Sequence, residues 1–541
     1  MTVNKDECFR QFFSKFPCRS VLKRGTFRSE TIILSNKGKD MSVGQQIHEL
    51  IRSMSPSEKG YFKKYSARHI IGEGNDYMIL FEAIDSLELY TDDTLLKKKN
   101  IKTMAQRLPG IKNYLYKQIL ESLRSYHSGK NQAQAIQEAL YDVRLLSERG
   151  LYTHAEKIAK KAVEMAREIE HNRLYLDALT YYLLVISHFV SDKQYGELSE
   201  SIINELENAS EKVYNEYLYW VYNLRIEDSL VAQGITTQTM EQSSVDILSH
   251  PLMTTIQPLS FTAWLSAMFI QTSHYQYIEK NEEKSREISE IIVKKFEESP
   301  LRKEQYFGLY IGTLTTMLSY YCLHKKYELY ENNIYLLRDS IYQKNLNAYQ
   351  KARAAMLFLR TEITYDMTSE NLQRFTENLS EYTKLYQTYQ HFFPPIYHKL
   401  LTMECGAMCL ICDNPRVALE WFQRTLSSDA HIRSDAHRSA ELLSLCAHLD
   451  TGGEAYLDYG IRSFTRSKSK SLPVTEFHRH FLKLLHHSAQ VHTDHERYAL
   501  ITKFTEQHSD DPKADPFLLN ILRLWKPKVV QKKQQKKNPY L

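Results

Sequence analysis

Residues 149–162 read RGLYTHAEKIAKKA and contain the clearest local pattern in the chain. Gly150 can adopt the left-handed backbone conformation that ends a helix, because it has no Cβ to clash with the neighbouring carbonyl group. Ala155, Ala159 and Ala162 follow at positions i, i+4 and i+7, so they share one face of the next helix. Such small side chains allow a neighbouring helix to approach closely. The segment therefore predicts two antiparallel helices joined by a tight turn.

Similar turns are predicted further along the chain, 40 to 47 residues apart. They fall at or near Lys193, Gly234, Asn281, Lys325, Met367, Asp413 and Gly453. A last helix pair is expected between residues 473 and 521. HEAT and armadillo repeats have periods of roughly 40–47 residues, whereas the tetratricopeptide repeat (TPR) has a period of about 34. The spacing alone therefore favours the longer repeats.

The residue types, in contrast, resemble the TPR. Its turn glycine, following tyrosine and spaced small residues are matched by Gly150, Tyr152, Ala155 and Ala162, and its small and aromatic second-helix positions by Ala418 and Phe422. The pairs after Lys193 and Lys325 depart from the pattern, since bulky Leu198 and Tyr330 take the place of Ala155. The resemblance implies an all-α, right-handed α-solenoid of long TPR-like helix pairs over residues 131–525. The first helices of the pairs would line a concave surface suited to a protein or peptide.

Three further segments flank this array. Residues 41–130 are predicted to form a separate helical module, in which Ser55-Pro56-Ser57-Glu58 is typical of a helix start. Residues 1–40 are a basic leader and residues 526–541 a lysine-rich tail. Translation starting at Met41, rather than Met1, is one hypothesis for the leader, and a transit peptide is another. Mass spectrometry of the native N-terminus decides between these hypotheses.

Charge is unevenly distributed along the chain. The net charge is +5, but residues 1–40 carry +5, residues 97–130 carry +8 and residues 526–541 carry +6, which leaves −14 for the rest. In the stretch 97–130, tyrosines alternate with cations that include Lys112, Lys117 and Arg124. Cations that neutralise phosphates beside aromatic rings that stack on bases are typical of nucleic-acid binding. The favoured interpretation is that this stretch docks on, or balances, the acidic remainder.

Two clusters suggest metal sites at first sight. Cys405, Cys409 and Cys412 have the C-x3-C-x2-C spacing of an iron–sulfur motif, but on a helix they share one apolar face, which predicts a buried core position. Six histidines between His478 and His495 form no i, i+4 pair of zinc ligands. From these spacings we predict no metal and no cofactor. Since the sequence contains no nucleophile motif either, we predict no enzymatic activity.

The chain shows no signal-peptide pattern and no apolar run suited to a membrane span, so a soluble, cytoplasmic protein is expected. The preferred hypothesis is a non-enzymatic scaffold or adaptor that binds a protein or peptide on the concave face of the solenoid. The alternative is a cytoplasmic regulator that combines a basic, nucleic-acid-binding N-terminal module with a peptide-sensing solenoid.

Overall fold

The computed structural model describes residues 42–68, 76–87, 90–129, 131–189, 193–232, 247–344, 346–428, 434–452, 454–466, 474–509, 511 and 514–525. All regular secondary structure in these ranges is helical, which confirms the predicted all-α class. The leader (1–40), the tail (526–541) and the turns predicted at Gly234 and Gly453 lie outside the described residues.

Six helices form the N-terminal module. They are α1 (Val43–Ser53), α2 (Pro56–Arg68), α3 (Asp76–Asp85), α4 (Asp92–Leu96), α5 (Lys99–Lys102) and α6 (Leu108–His127). Helix α2 begins where the sequence predicts, and its capping hydrogen bonds explain why. The Ser55 backbone N–H donates to the Glu58 carboxylate at 2.6 Å, and the Glu58 N–H donates to Ser55 Oγ at 3.3 Å. This reciprocal pair satisfies two amide groups that the first turn of a helix leaves without partners.

The module has a hydrophobic core of its own. Ile47 of α1, Phe62 of α2, Leu80 of α3 and Leu115 and Ile119 of α6 are fully buried there. Leu115 and Ile119 lie four residues apart, so α6 turns one apolar face towards α1, α2 and α3.

The next four helices are long. They are α7 (Gln132–Ser147), α8 (Tyr152–Glu168), α9 (Asn172–Ile186) and α10 (Lys193–Ala232). Each packs on the next, and α7 also packs on α9. Helix α10 has 40 residues and is therefore about 60 Å long. Four shorter helices follow: α11 (Pro251–Thr254), α12 (Phe261–Ser273), α13 (Glu282–Glu297) and α14 (Pro300–Gln305).

Residues beyond 305 contain twelve described α-helices. They are α15 (Phe307–Leu323), α16 (Tyr327–Glu331), α17 (Ile334–Tyr342), α18 (Ala348–Thr368), α19 (Leu372–Tyr389), α20 (Pro395–Ile411), α21 (Pro415–Leu426), α22 (Ser434–Asp450), α23 (Glu454–Arg466), α24 (Glu476–Gln490), α25 (Asp494–Gln507) and α26 (Pro516–Leu524). Helix α15 packs on α18, α18 on α20, α20 on α22 and α22 on α24. The helices between them in sequence pack on the helices that flank them.

The chain divides into two compact units between Gln305 and Tyr306. We call the described residues between 42 and 305 the N-terminal unit and those between 306 and 525 the C-terminal unit. The N-terminal unit contains the module of α1 to α6 together with α7 to α14.

Several turns between consecutive helices share one hydrogen-bond geometry. A residue with positive φ ends the first helix, and the next residue donates its N–H to the carbonyl five positions earlier. The positive-φ residues are Gly150, Glu170, Lys325, Glu370 and Asp413, and the donors are Leu151, His171, Lys326, Asn371 and Asn414. This is the Schellman arrangement, which satisfies carbonyl groups at a helix end. The predicted turns at Gly150, Lys325 and Asp413 coincide with it.

Candidate interaction surfaces

The turn at Gly150 positions the two helices around it. Gly150 has a φ of 72°, and the Leu151 N–H donates to the Leu146 carbonyl at 3.0 Å. Tyr152 begins α8 and stacks on the His188 ring with a centroid distance of 3.8 Å. The tyrosine at this turn therefore contacts the 3-10 turn Ser187–Phe189 that directly follows α9.

The small residues of α8 lie in the contacts that the sequence predicts. Ala155, Ala159, Ala162 and Ala166 are all fully buried, and α8 packs against both α7 and α9. A methyl group at each position leaves room for both neighbours. This seam contributes to a core that extends from Ile136 of α7 to α10.

A second close seam involves Ala418 and Phe422 on α21. Both are fully buried, and Phe422 faces Gly406 on α20. A Cβ atom added at Gly406 would lie 2.5 Å from Phe422 Cε1. Only glycine therefore fits at this point of α20 without a shift of the ring.

The first helices of the N-terminal unit expose a mixed aromatic and charged surface. Tyr141 on α7 is 62% exposed and Leu184 on α9 is 59% exposed. Arg144 lies one turn from Tyr141 and donates to Glu148 at 3.0 Å. That bond raises the pKa of Arg144, and Tyr181 on α9 and Tyr141 raise it further. We call Tyr141, Arg144, Tyr181 and Leu184 the first-helix surface.

The corresponding helices of the C-terminal unit do not offer such a surface. Tyr310–Ser319 of α15 and Lys399–Ile411 of α20 are buried without interruption. Helix α20 packs on α18 and α22 as well as on its own second helix, α21. Arg360 of α18 also binds Glu404 of α20 through two hydrogen bonds of 2.6 and 2.9 Å. Along α15 and α20, these side chains are therefore not exposed for binding in the way that the resemblance implies for first helices.

The three cysteines near residue 410 belong to this buried region. Cys405 and Cys409 are buried in α20, as their helical spacing predicts. Burial raises the pKa of both thiols. Cys412 is half-buried and its Sγ lies 3.6 Å from the Leu372 carbonyl oxygen. These cysteines fill space between helices.

A buried ionic cluster joins three helices of the C-terminal unit and was not found from the sequence. Arg374 of α19 donates to Glu362 of α18 at 2.5 Å and to Asp366 one turn further along. Tyr330 of α16 and Tyr382 of α19 donate to the Glu362 carboxylate at 2.7 and 3.0 Å. Burial raises the pKa of Asp366 to about 6, although the Arg374 guanidinium acts against that rise.

The sequence does contain a signal for this cluster. Glu362 and Asp366 are four residues apart and so share one face of α18, and carboxylates that are buried need partners. Tyr330 fills the position that Ala155 has in the Gly150 pair, and its ring stacks on Tyr365 at 4.3 Å. The bulky Tyr330 is thus accommodated by this stacking and by the hydrogen bond that its hydroxyl donates to Glu362.

The basic residues of α6 separate into two kinds. Lys112 binds Asp92 at 2.7 Å and its ammonium lies 5.6 Å from the Tyr90 ring centroid. Lys117 and Arg124 are exposed and seven residues apart, so they share one face of the helix. Lys117 and Arg124 therefore lie on one surface, with the Lys117 ammonium 3.9 Å from the Glu121 carboxylate of the same helix, whereas Lys112 pairs with an acid of another helix.

The late histidines lie on and around α24. His478 accepts the Thr475 N–H at 3.1 Å, and burial lowers its pKa to about 4. His480 Nδ1 lies 3.1 Å from His508 Nε2. Within the described residues, no group of three or more His, Cys, Asp or Glu side chains is placed to bind a metal ion.

Comparison with known proteins returns no match to a protein family, to a curated protein or to a solved structure. Among the described helices, none has both the length and the apolar character needed to cross a bilayer.

Proposed function

We propose that the chain is a non-enzymatic, cytoplasmic scaffold built as a TPR-like solenoid, and that it binds a protein or peptide. Three features support a repeat architecture: the shared turn geometry, the small-residue seam of α8 and the packing of each helix on its sequence neighbours. Stacked helix pairs of this kind bury their cores only against neighbouring pairs and leave an extended surface.

The observation that carries the proposal is the exposure of large apolar side chains on consecutive first helices. Tyr141 and Leu184 are each more than half exposed. Tyrosine, arginine and apolar side chains together are the groups that anchor protein partners, because aromatic and arginine residues combine contact area with directed hydrogen bonds. The first-helix surface therefore fits an extended peptide with apolar anchors and an acidic group opposite Arg144.

Comparative affinity capture tests this proposal. The full chain, the double variant Tyr141→Ala with Leu184→Ala, and the control Tyr459→Ala would each be used as bait in the native cell. Tyr459 is 74% exposed on α23, so the control removes an equally accessible ring elsewhere. We expect a bound protein that is recovered with the full chain and the control but is depleted about tenfold with the double variant. Identical recovery with all three baits argues against this surface.

The second candidate is the regulator with a nucleic-acid-binding module. The exposure of Lys117 and Arg124 on one face of α6 favours it, and the ion pair of Lys112 with Asp92 weakens it. Each lost phosphate contact lowers the salt dependence of binding by about one unit. If the module binds DNA or RNA, Lys117→Gln with Arg124→Gln weakens binding and flattens the salt slope. We expect no tight binding at physiological salt, and a submicromolar complex lost in this variant would favour the regulator.

A further inference from the structure

Helix α10 presents a second exposed surface, on a different helix from the first-helix surface. Seven side chains on its described part recur at intervals of three, four or seven residues: Glu197, Glu200, Glu207, Glu211, Tyr214, Tyr217 and Val221. Glu197 to Val221 is 24 residues, or seven helical turns of about 3.4 residues when the seven-residue interval counts as two turns. This is close to the period of about 3.5 residues that a second helix follows when it winds around the first. We call these seven residues and Trp220 the acidic–aromatic stripe. It spans about 36 Å.

Tyr214, Tyr217, Trp220 and Val221 form the aromatic half of the stripe, and their side chains are exposed. Tyr214 is 65% exposed and Trp220 is 42% exposed. Tyr217 lies edge-on to Trp220 with ring centroids 6.3 Å apart. Tyr219, between them in sequence, points inward and donates to the carbonyls of Leu252 and Ile256 at 2.6 and 2.7 Å. The inward tyrosine anchors the helix, which leaves the outward rings available to a partner.

The acidic half, Glu197 to Glu211, forms no ion pair with a cation in the described part of the chain. Glu197, Glu200, Glu207 and Glu211 are exposed, and no ion pair or hydrogen bond joins their carboxylates to a described residue. Two other glutamates of the helix whose side chains the structure describes differ: Glu205 binds Arg167 at 2.7 Å, and Glu216 binds Asn172 at 2.7 Å. The stripe therefore collects the glutamates that the fold does not use.

We infer that the acidic–aromatic stripe is a docking site for a basic amphipathic helix of a partner protein. The heptad-like spacing selects a helical partner, and the four unpaired carboxylates select lysine or arginine along about 20 Å of it. Tyr214, Tyr217, Trp220 and Val221 then receive apolar side chains at one end of the same helix. Charge repulsion opposes pairing of this stripe with the same stripe of a second copy, because the acidic half carries no cation of its own.

Fluorescence anisotropy with designed peptides tests this inference. The probe is a labelled 21-residue helical peptide with lysines on one face of its first 14 residues and leucines on the same face of its last seven. One matched peptide replaces lysine with glutamate and another replaces leucine with alanine. We expect the full chain to bind the first peptide in the micromolar range and both matched peptides about tenfold more weakly.

Variants of the full chain locate the binding. Tyr217→Ala with Trp220→Ala should weaken binding about tenfold. Glu207→Gln with Glu211→Gln should weaken it and reduce its salt dependence. Tyr459→Ala and Glu164→Gln, which change an exposed tyrosine and an exposed glutamate elsewhere, should bind as the parent chain does.

Three outcomes overturn the inference. The first is that the basic peptide does not bind below about 100 micromolar, on the order expected for a nonspecific contact. The second is that the stripe variants bind the peptide as tightly as the parent chain does. The third is self-association that is lost with Tyr217→Ala and Trp220→Ala, which would identify a second copy as the occupant. Since Tyr141 and Leu184 are unchanged in these variants, failure here leaves the proposed function to its own test.

Discussion

Replacing Gly406 with alanine tests whether the contact between α20 and α21 has the close approach that the structure shows. An added Cβ would lie 2.5 Å from Phe422 Cε1 and 2.6 Å from Cδ1. Carbon atoms rest about 3.5–4.0 Å apart, so the fully buried ring must move by roughly 1 Å. Overpacking of this kind costs about 1–3 kcal/mol, whereas alanine in place of glycine favours a helix by about 1 kcal/mol. The expected net destabilisation is about 1 kcal/mol.

A double-mutant cycle isolates the steric part. Phe422→Leu shortens the side chain that the new methyl group meets, so Gly406→Ala should become less harmful in that background. We expect a coupling free energy of about 1–2 kcal/mol between the two positions. Hydrogen exchange of peptides from α20 and α21 is the appropriate assay, because a chain of two units need not unfold in one step.

Gly60 provides the matched control. It lies inside α2, and apart from its chain neighbours and the helix's own backbone no atom lies within 4 Å of the position its Cβ would take. Gly60→Ala should therefore slow exchange in α2, by about 0.5–1 kcal/mol of added stability. If Gly406→Ala also stabilised its helix by this amount, with no coupling to Phe422→Leu, the close seam between α20 and α21 would be refuted.

Three other perturbations test separate parts of the structure. Ala155→Leu adds a large side chain to the fully buried seam of α8 and should cost about 1–3 kcal/mol, seen as faster hydrogen exchange in α7 to α9; unchanged protection there contradicts the seam. The pKa of Asp366 is raised in the folded state to about 6, so its proton stabilises the fold below about pH 4 and that contribution is lost as pH rises through 6. Asp366→Asn removes this dependence, so the urea midpoint of the variant, compared with that of the parent chain at the same pH, should rise between pH 4 and 7. A difference in midpoint that stays constant over this range argues against it. Cys405 should react with a thiol reagent at pH 8 far more slowly than half-buried Cys412, because burial raises the pKa of Cys405 well above its usual value; equal rates in the folded protein would show that α20 is open.

Residue types alone do not show which side chains pair in the ionic cluster of α18 and α19. Arg374 is eight residues from Asp366 and twelve from Glu362, across the turn at Glu370. A helix pattern shows that two carboxylates face inward, but the cation that neutralises them is found only once the turn direction is known. Lys112 illustrates the same limit, because its partner Asp92 is on another helix of the module.

Local chemistry explains what could be predicted from the amino-acid sequence. The start of α2 at Ser55, the left-handed turn at Gly150 and the buried face of Cys405 and Cys409 depend on capping groups, backbone freedom and side-chain period within a few residues. These properties belong to one helix or one turn, so sequence reasoning finds them. They establish the all-helical class and the positions of several turns.

Tertiary packing alone decided which helix faces are available to a partner. By sequence, α9 and α20 are both first helices of a pair, yet Leu184 of α9 is exposed whereas Lys399–Ile411 of α20 is buried throughout. On α10, Glu205 and Tyr219 contact other parts of the fold, whereas the glutamates and aromatic rings of the acidic–aromatic stripe are exposed. The residue types are the same, so the difference in exposure comes from which face of the helix its neighbours cover. Exposure depends on side chains that are distant in sequence, because a surface is buried only when another part of the fold covers it.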